Sequence, residues 1–259
     1  MSKLRRQSVF YAGDSPAGGP ANYLLAILGT LNISLTHLPP GQRCGPELLK
    51  RPYDAFILSD YSRRDFDARA EMLLEAQVKR GAGLLMVGGW GSFSGPFGRW
   101  RGSRVESLLP VRCAASDDRV NLATGLLLKR KKNHSILRGL SFSRPPVLIG
   151  LNRVFPRPGS EVVLSASPLK VRAGKPVCSE KEYPLLVLNP EKGLRTAALT
   201  TDLAPHWCGG WVDWGARRRA LPVTAEFGVE VGDLYVRFVR QLIQWLLSGS
   251  PLVSAPKSR

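Results

Sequence analysis

The chain has 259 residues, 44% of them hydrophobic, and a formal net charge of +17. That length and apolar content support one sizeable folded unit, residues 1–250, followed by a flexible tail at 251–259, and exclude global disorder. No apolar run approaches the ~20 residues of a membrane span, and the basic start MSKLRRQ leads into a strand-like stretch rather than a signal-peptide core, so a cytoplasmic protein without a membrane partner is expected.

Residues 8–13 (SVFYAG) read as a strand that ends in Asp14 and a Gly/Pro loop at 15–20. Leu24, Leu25, Ile27, Leu28 and Leu31 then have the spacing of a buried helix face. Residues 33–39 (ISLTHLP) alternate as a second strand, and residues 53–61 (YDAFILSDY) form a third. A helix follows with Phe66, Ala70, Leu73, Leu74 and Val78 on one face, Asp65 or Asp67 as its cap and Gly81 as its stop. Residues 83–89 (GLLMVGG) are the fourth strand, running into a long Gly/Arg/aromatic loop at 90–104. Further on, 116–121 (SDDRVN) reads as a polar turn, 146–156 and 161–168 as strands, and 170–182 as an exposed connection. Residues 184–207 read as a hairpin turning at 189–193, and 232–249 as an amphipathic helix with Tyr235, Phe238, Val239, Leu242 and Leu246 on one face. Alternating strands and helices, with strands apolar on both faces, predict a mostly parallel sheet covered by helices.

In open α/β sheets the ligand crevice lies at the carboxyl ends of the strands. Those ends carry Asp14, Asp60 with Tyr61, Gly88-Gly89-Trp90, Asn152-Arg153, and Asp202 with His206. Asp14 and Asp60 serve equally well as helix caps, and Arg153 as a surface ion-pair partner. His206 lies in DLAPHWCGGWVDW, beside Trp207, Trp211 and Trp214. Such a cluster suits either a pocket for a flat or sugar-like polar ligand or a small core that anchors the loop. Cys208 follows His206 by two residues, a spacing that gives no reason for the thiol to meet the imidazole. The turn GGWGSFSG lacks the Lys-Ser/Thr of a phosphate loop; it has the placement of a nucleophile elbow, but Trp90 cannot be a nucleophile and Ser92 or Ser94 has no assigned base. Cys44, Cys113, Cys178 and Cys208 are scattered without a C-x-x-C pair, so neither a disulfide framework nor a metal site is expected. The basic residues are dispersed and no nucleic-acid-binding motif accompanies them, which leaves nucleic acid a disfavoured partner.

Taken in order, YAGDSPAGGPANYL, YDAFILSDY, GAGLLMVGGWGSFSG, DDRVN, HSILRGL, GLNRV, TTDLAPHW and FVRQLIQWL resemble the class I glutamine amidotransferase-like and ThuA-like proteins over residues 8–248. The resemblance implies a flavodoxin-like three-layer α/β sandwich with a mostly parallel central sheet and a C-terminal helix. No cofactor is expected. It places the loop after residues 84–87 at the elbow where the true amidotransferases carry a nucleophilic cysteine. Here Gly89 and Trp90 stand at that position, and Cys208 stands two residues after His206 where the family's glutamate would be. The motif HSILRGL also has a serine where relatives often have proline, and KGLR departs from the usual turn.

The expected protein is therefore amidotransferase-like without glutaminase activity. It would bind a small polar ligand with Asp14, Asp60, Tyr61, Gly89, Trp90, Ser92, Arg153 and Trp207, with Trp90 as a wall or plug facing His206. Any remaining hydrolase or isomerase chemistry would fall to His206 and Asp202. Loops rich in Trp and Phe make it a homo-oligomer in expectation. Two alternatives stand beside it: a non-catalytic sensor or oligomeric scaffold, and a basic protein associated with nucleic acid.

Overall fold

The computed structural model describes residues 5–15, 19–189 and 194–249; most of the turn expected at 189–193, the centre of the loop at 15–20 and the tail at 251–259 lie outside the described residues. In chain order the first elements are β1 (Gln7–Gly13), α1 (Ala21–Gly29), β2 (Ile33–Leu38), β3 (Ala55–Ser59), α2 (Ala68–Lys79) and β4 (Gly83–Val87). The middle of the chain forms α3 (Arg104–Leu108), β5 (Val111–Cys113), β6 (Arg119–Arg130), β7 (Val147–Asn152), β8 (Val154–Pro156), β9 (Glu161–Arg172) and β10 (Lys175–Cys178). Last come β11 (Tyr183–Leu188), β12 (Thr196–Leu199), α4 (Pro205–Cys208), β13 (Arg218–Pro222), β14 (Gly228–Gly232) and α5 (Asp233–Leu247).

The main sheet runs β2-β1-β3-β4-β12-β11-β9-β6-β7, with β10 folded back onto β9. From β2 to β12 the neighbours are parallel; from β12 to β7 they are antiparallel. The sheet is thus mixed, and its parallel half follows from the sequence pattern. Every residue of β3, β4 and β12 is buried, because helices cover both faces. Side-chain alternation divides the interior into two layers. Val9 and Tyr11 of β1 point into the core shared with α1 and α5, whereas Phe10 and Ala12 point into the core shared with α2 and Trp100.

The helices end where their residues require. Asp67 caps α2 by accepting the Arg69 amide at 2.8 Å, and Gly81, at φ +108°, turns the chain out of it. On α5, Tyr235, Phe238, Val239, Leu242 and Leu246 are all buried.

Several stretches differ from the sequence reading: α3, β5 and most of β6 were not expected, and the strand expected at 146–156 is divided into β7 and β8. The polar turn at 116–121 is shorter than expected, since β6 begins at Arg119. The exposed connection at 170–182 is largely the β9–β10 hairpin. The β13–β14 hairpin was not anticipated at all. The first half of β6, and all of β10 and β13, are half-buried or exposed, so none of them carries the apolar run that marks a covered strand.

Candidate functional site at the parallel strand ends

Register brings the candidate residues together. Gly13 pairs with Ser59, Ser59 with Val87, and Val87 with Leu199, so these four strand ends lie in one row. The next residues along that row are Asp14, Asp60, Gly88 and Thr200, with Asp202 two positions further on. Parallel pairing alone therefore gathers three carboxyl groups at one edge of the sheet.

Asp60 explains the glycines of the β4 turn. Its backbone is left-handed, at φ 54°, and its carboxylate accepts hydrogen bonds from the Trp90 and Gly91 amides. A Cβ at Gly89 would stand 2.7 Å from the Asp60 Cγ, and one at Gly91 would stand 2.7 Å from the Asp60 carbonyl carbon. Real Cβ atoms do not approach so closely, so the turn must be glycine at both places for it to wrap around Asp60. The turn thus points two of its amides at a carboxyl group that belongs to the chain itself.

Ser92 and Asn152 hold this arrangement from behind. The Ser92 hydroxyl donates to the Val87 carbonyl at 2.5 Å and accepts the Asp60 amide at 3.0 Å, with the residue 1% exposed. It is a tether, not an accessible ligand contact or nucleophile, which corrects the expectation for it. Asn152 is fully buried. It accepts the Gly89 amide at 3.0 Å and donates to the Gly89 carbonyl at 3.2 Å and to Asp118 Oδ1 at 2.7 Å. The second Asp118 oxygen accepts the Ser94 amide at 2.7 Å. Burial holds the Asp118 carboxyl up at about 6 although both of these bonds pull it down.

The histidine arrives on α4. Asp202 Oδ1 accepts the Ala204 and Cys208 amides, each at 3.1 Å, and so starts this short helix. One turn on, His206 Nε2 lies 2.7 Å from Asp202 Oδ2; the histidine side chain is 47% exposed and the aspartate side chain 7%. The Asp202 contact is the main reason that the His206 pKa lies above its ordinary value, with burial opposing it and the charges of Asp60 and Asp14 adding to it. Burial raises Asp60, helped by Asp202 and opposed by its amide donors and His206. Asp202 is raised by burial against the pull of His206. Asp14 rises to about 7, first through burial and then through Asp60. The four groups thus act on one another as a single electrostatic cluster.

Other expected site residues sit elsewhere. Tyr61 is a core residue: it is 1% exposed, packs edge-on against Phe66 and donates its hydroxyl to the Gln42 carbonyl. Trp207 is buried over Gly150, where a Cβ would stand 2.6 Å from its ring. Trp211 packs on Phe238 and Tyr235, and Trp214 on Phe142, so these two tryptophans join the core that anchors the loop. Trp90 is 45% exposed; its ring stacks on Phe97 and lies 4.3 Å beneath the Arg119 guanidinium. These two residues, rather than His206, are its ring partners. Arg153 is exposed, and its amide donates to the Asp118 carbonyl at 2.6 Å. Cys208 is buried and its thiol is held far from ionisation, chiefly by burial.

The sequence reading missed Asp118 and Asn152 as structural partners of the turn, and missed Tyr11 and His37 behind Asp14. His37 stacks on Tyr11 at 4.8 Å and places Nε2 2.9 Å from the Gly13 carbonyl, while the Tyr11 hydroxyl donates to the Asp14 carbonyl at 3.3 Å. The available signal was the pair of motifs DDRVN and GLNRV, whose Arg119 and Asn152 stand opposite each other on β6 and β7. Among the described residues, no three of His, Cys, Asp and Glu group closely enough to hold a metal ion.

The chain belongs to the family described as "Putative glutamine amidotransferase" (GATase1_like), whose model matches residues 47–221. Two solved structures described as cytoplasmic proteins of Salmonella typhimurium share its fold. STM3548 is 22% identical, with a TM-score of 0.67, covering 92% of this chain and 98% of that one. STM1381, from strain LT2, is 24% identical, with a TM-score of 0.61, covering 78% and 90%. A structure described as a "Putative thua-like protein" from Parabacteroides merdae ATCC 43184 is 12% identical, with a TM-score of 0.57, covering 98% and 94%. No curated protein matches the chain. No described helix is long and apolar enough to cross a membrane.

Proposed function

We propose that this protein binds a small polar metabolite at the parallel strand ends and does not hydrolyse glutamine. The observation that carries the reading is the convergence of Asp14, Asp60 and the Asp202–His206 pair on one edge of the sheet, with a half-exposed imidazole above it. Residues 88–95 contain no cysteine. The Cys208 thiol is buried and un-ionised, so no thiolate is poised to attack an amide. A rim of carboxyl oxygens favours a ligand that presents hydroxyl or amine donors.

Any chemistry would be proton transfer. With Nε2 2.7 Å from Asp202 Oδ2, the Nδ1 of His206 is the nitrogen left to take a proton from a ligand hydroxyl or from water. Asp202 then stabilises the imidazolium, and Asp14, at about 7, can return a proton near neutral pH. A non-catalytic binding module is the second reading, favoured by the engagement of Asp60 and Ser92 in holding the turn. The same reading has the protein working in the cytoplasm, as the two Salmonella proteins of like fold are described.

The test is a thermal-shift screen of neutral and cationic polar metabolites against the wild-type protein and Asp14→Asn and His206→Gln variants. A ligand at 100 times its Kd stabilises the native state by about 2.7 kcal/mol. The expected hit loses that stabilisation in both variants. Ammonia release from glutamine that disappears in His206→Ala would overturn the reading.

A further inference from the structure

A second site lies away from the strand ends. Along α5, Asp233, Arg237, Arg240 and Gln244 recur at positions i, i+4, i+7 and i+11, one stripe on the helix face opposite its buried residues. That stripe forms one wall of a groove of about 740 Å³, within the size range of small-ligand pockets. Arg217 and Arg219 of the β13 hairpin region form another wall, and Arg138 closes the end. Five guanidinium groups from three separate stretches of chain therefore face one space, with Asp233 the only acid among the described residues that line it.

Strand alternation produces this segregation. Arg218, between Arg217 and Arg219, points the other way and pairs with Asp213 and Glu230. Asp233 accepts the Arg217 amide at 3.3 Å, which engages its carboxylate with the backbone. Among the described residues none of the five arginines forms an ion pair, although Arg5, Arg43, Arg63, Arg104 and Arg119 elsewhere all reach carboxylates. Arg237 is fixed by donating to the Gly139 carbonyl at 2.8 Å, so part of the array is held in place before any ligand arrives. Like charges gathered in a concavity repel one another, and a multivalent anion is the partner that relieves the repulsion. Guanidinium forks match phosphate oxygens two at a time.

We propose that this groove is a phosphate-binding site that takes more than one phosphate group at once, presented either by a small phosphorylated ligand or by a nucleic-acid backbone. The test uses the whole protein and inorganic tripolyphosphate, followed by calorimetry at low and at physiological salt. Saturable one-to-one binding is expected. The double variant Arg219→Ala/Arg240→Ala should weaken it about tenfold or more, since two charge-assisted contacts are lost. Arg64→Ala/Lys175→Ala removes the same charge from exposed positions outside the groove and should change affinity less than twofold. Arg219→Lys/Arg240→Lys keeps both charges but removes the forks, and should weaken binding several-fold; it also serves if the alanine variant fails to fold. An absence of saturable binding, or equal weakening by the outside pair, would overturn the site in favour of diffuse attraction to a cationic surface. A single-stranded oligonucleotide that displaces tripolyphosphate assigns the site to a nucleic-acid backbone; a mononucleoside triphosphate that displaces it where the oligonucleotide does not assigns it to a small ligand.

Discussion

Replacing Asn152 with alanine tests whether the glycine turn is held from behind in the way the geometry implies. The Asn152 amide makes two hydrogen bonds to Gly89 and one, at 2.7 Å, to the Asp118 carboxylate, all without solvent exposure of the residue. Two neutral bonds are worth about 1 kcal/mol each and one to a charged acceptor about 2 kcal/mol, so truncation should cost about 4 kcal/mol. In a chain of this size that corresponds to a fall in Tm of about 10 °C. Urea unfolding followed by tryptophan fluorescence and circular dichroism measures the loss directly. Asn152→Asp keeps the shape but sets a second carboxyl against Asp118. The folded state then takes up a proton, and the stability deficit should shrink as the pH falls from 8 towards 5. A loss below 1 kcal/mol for the alanine variant, or a deficit in the aspartate variant that ignores pH, would refute the clamp.

Asp14→Asn should be more stable than the wild type at pH 8. The folded-state pKa of about 7 lies above the ordinary carboxyl value, so the native penalty is absent below pH 4, grows between pH 4 and 7, and is complete above 7. Allowing for partial exposure of Asp14, the gain at pH 8 is about 2 kcal/mol and should vanish at pH 4 in parallel urea titrations. Gly89→Ala combines a φ of +153° with a 2.7 Å approach to Asp60 and should cost about 2–3 kcal/mol by the same measurement. Native thiol titration with a disulfide reagent should label the exposed Cys178 rapidly, while Cys44, Cys113 and Cys208 react only after unfolding. Rapid labelling of Cys208 in the native protein would contradict its burial.

The parallel half of the sheet was legible because β1, β3, β4 and β12 are apolar runs with polar residues or glycine soon after them; Asp14, Asp60, Asp202 and His206 could be placed at one edge from that pattern alone. The antiparallel half was less so. In β6 the outward residues Arg119, Asn121 and Thr124 interrupt the run, and pairing with distant β7 and β9 leaves no local mark. Residue orientation was the larger gap. Whether Tyr61 or Trp207 faces a ligand or a core depends on backbone direction at a single position, and the left-handed turn at Asp60 sends its neighbour Tyr61 inward. Nothing in GGWGSFSG shows that its glycines answer to an aspartate some thirty residues earlier; that contact exists only once β3 and β4 lie side by side.

The Asp60 carboxylate in that turn sets a competition before any ligand arrives. A tethered group acts on its site at an effective concentration in the millimolar range or higher, with no loss of translational freedom to offset. A free carboxylate or phosphate approaching the Trp90 and Gly91 amides must displace a resident that cannot diffuse away. On the proposed binding reading, exclusion of acidic ligands at this end of the sheet would follow from residue 60. Anions would be admitted by changing that one side chain, while the glycines stayed as they are.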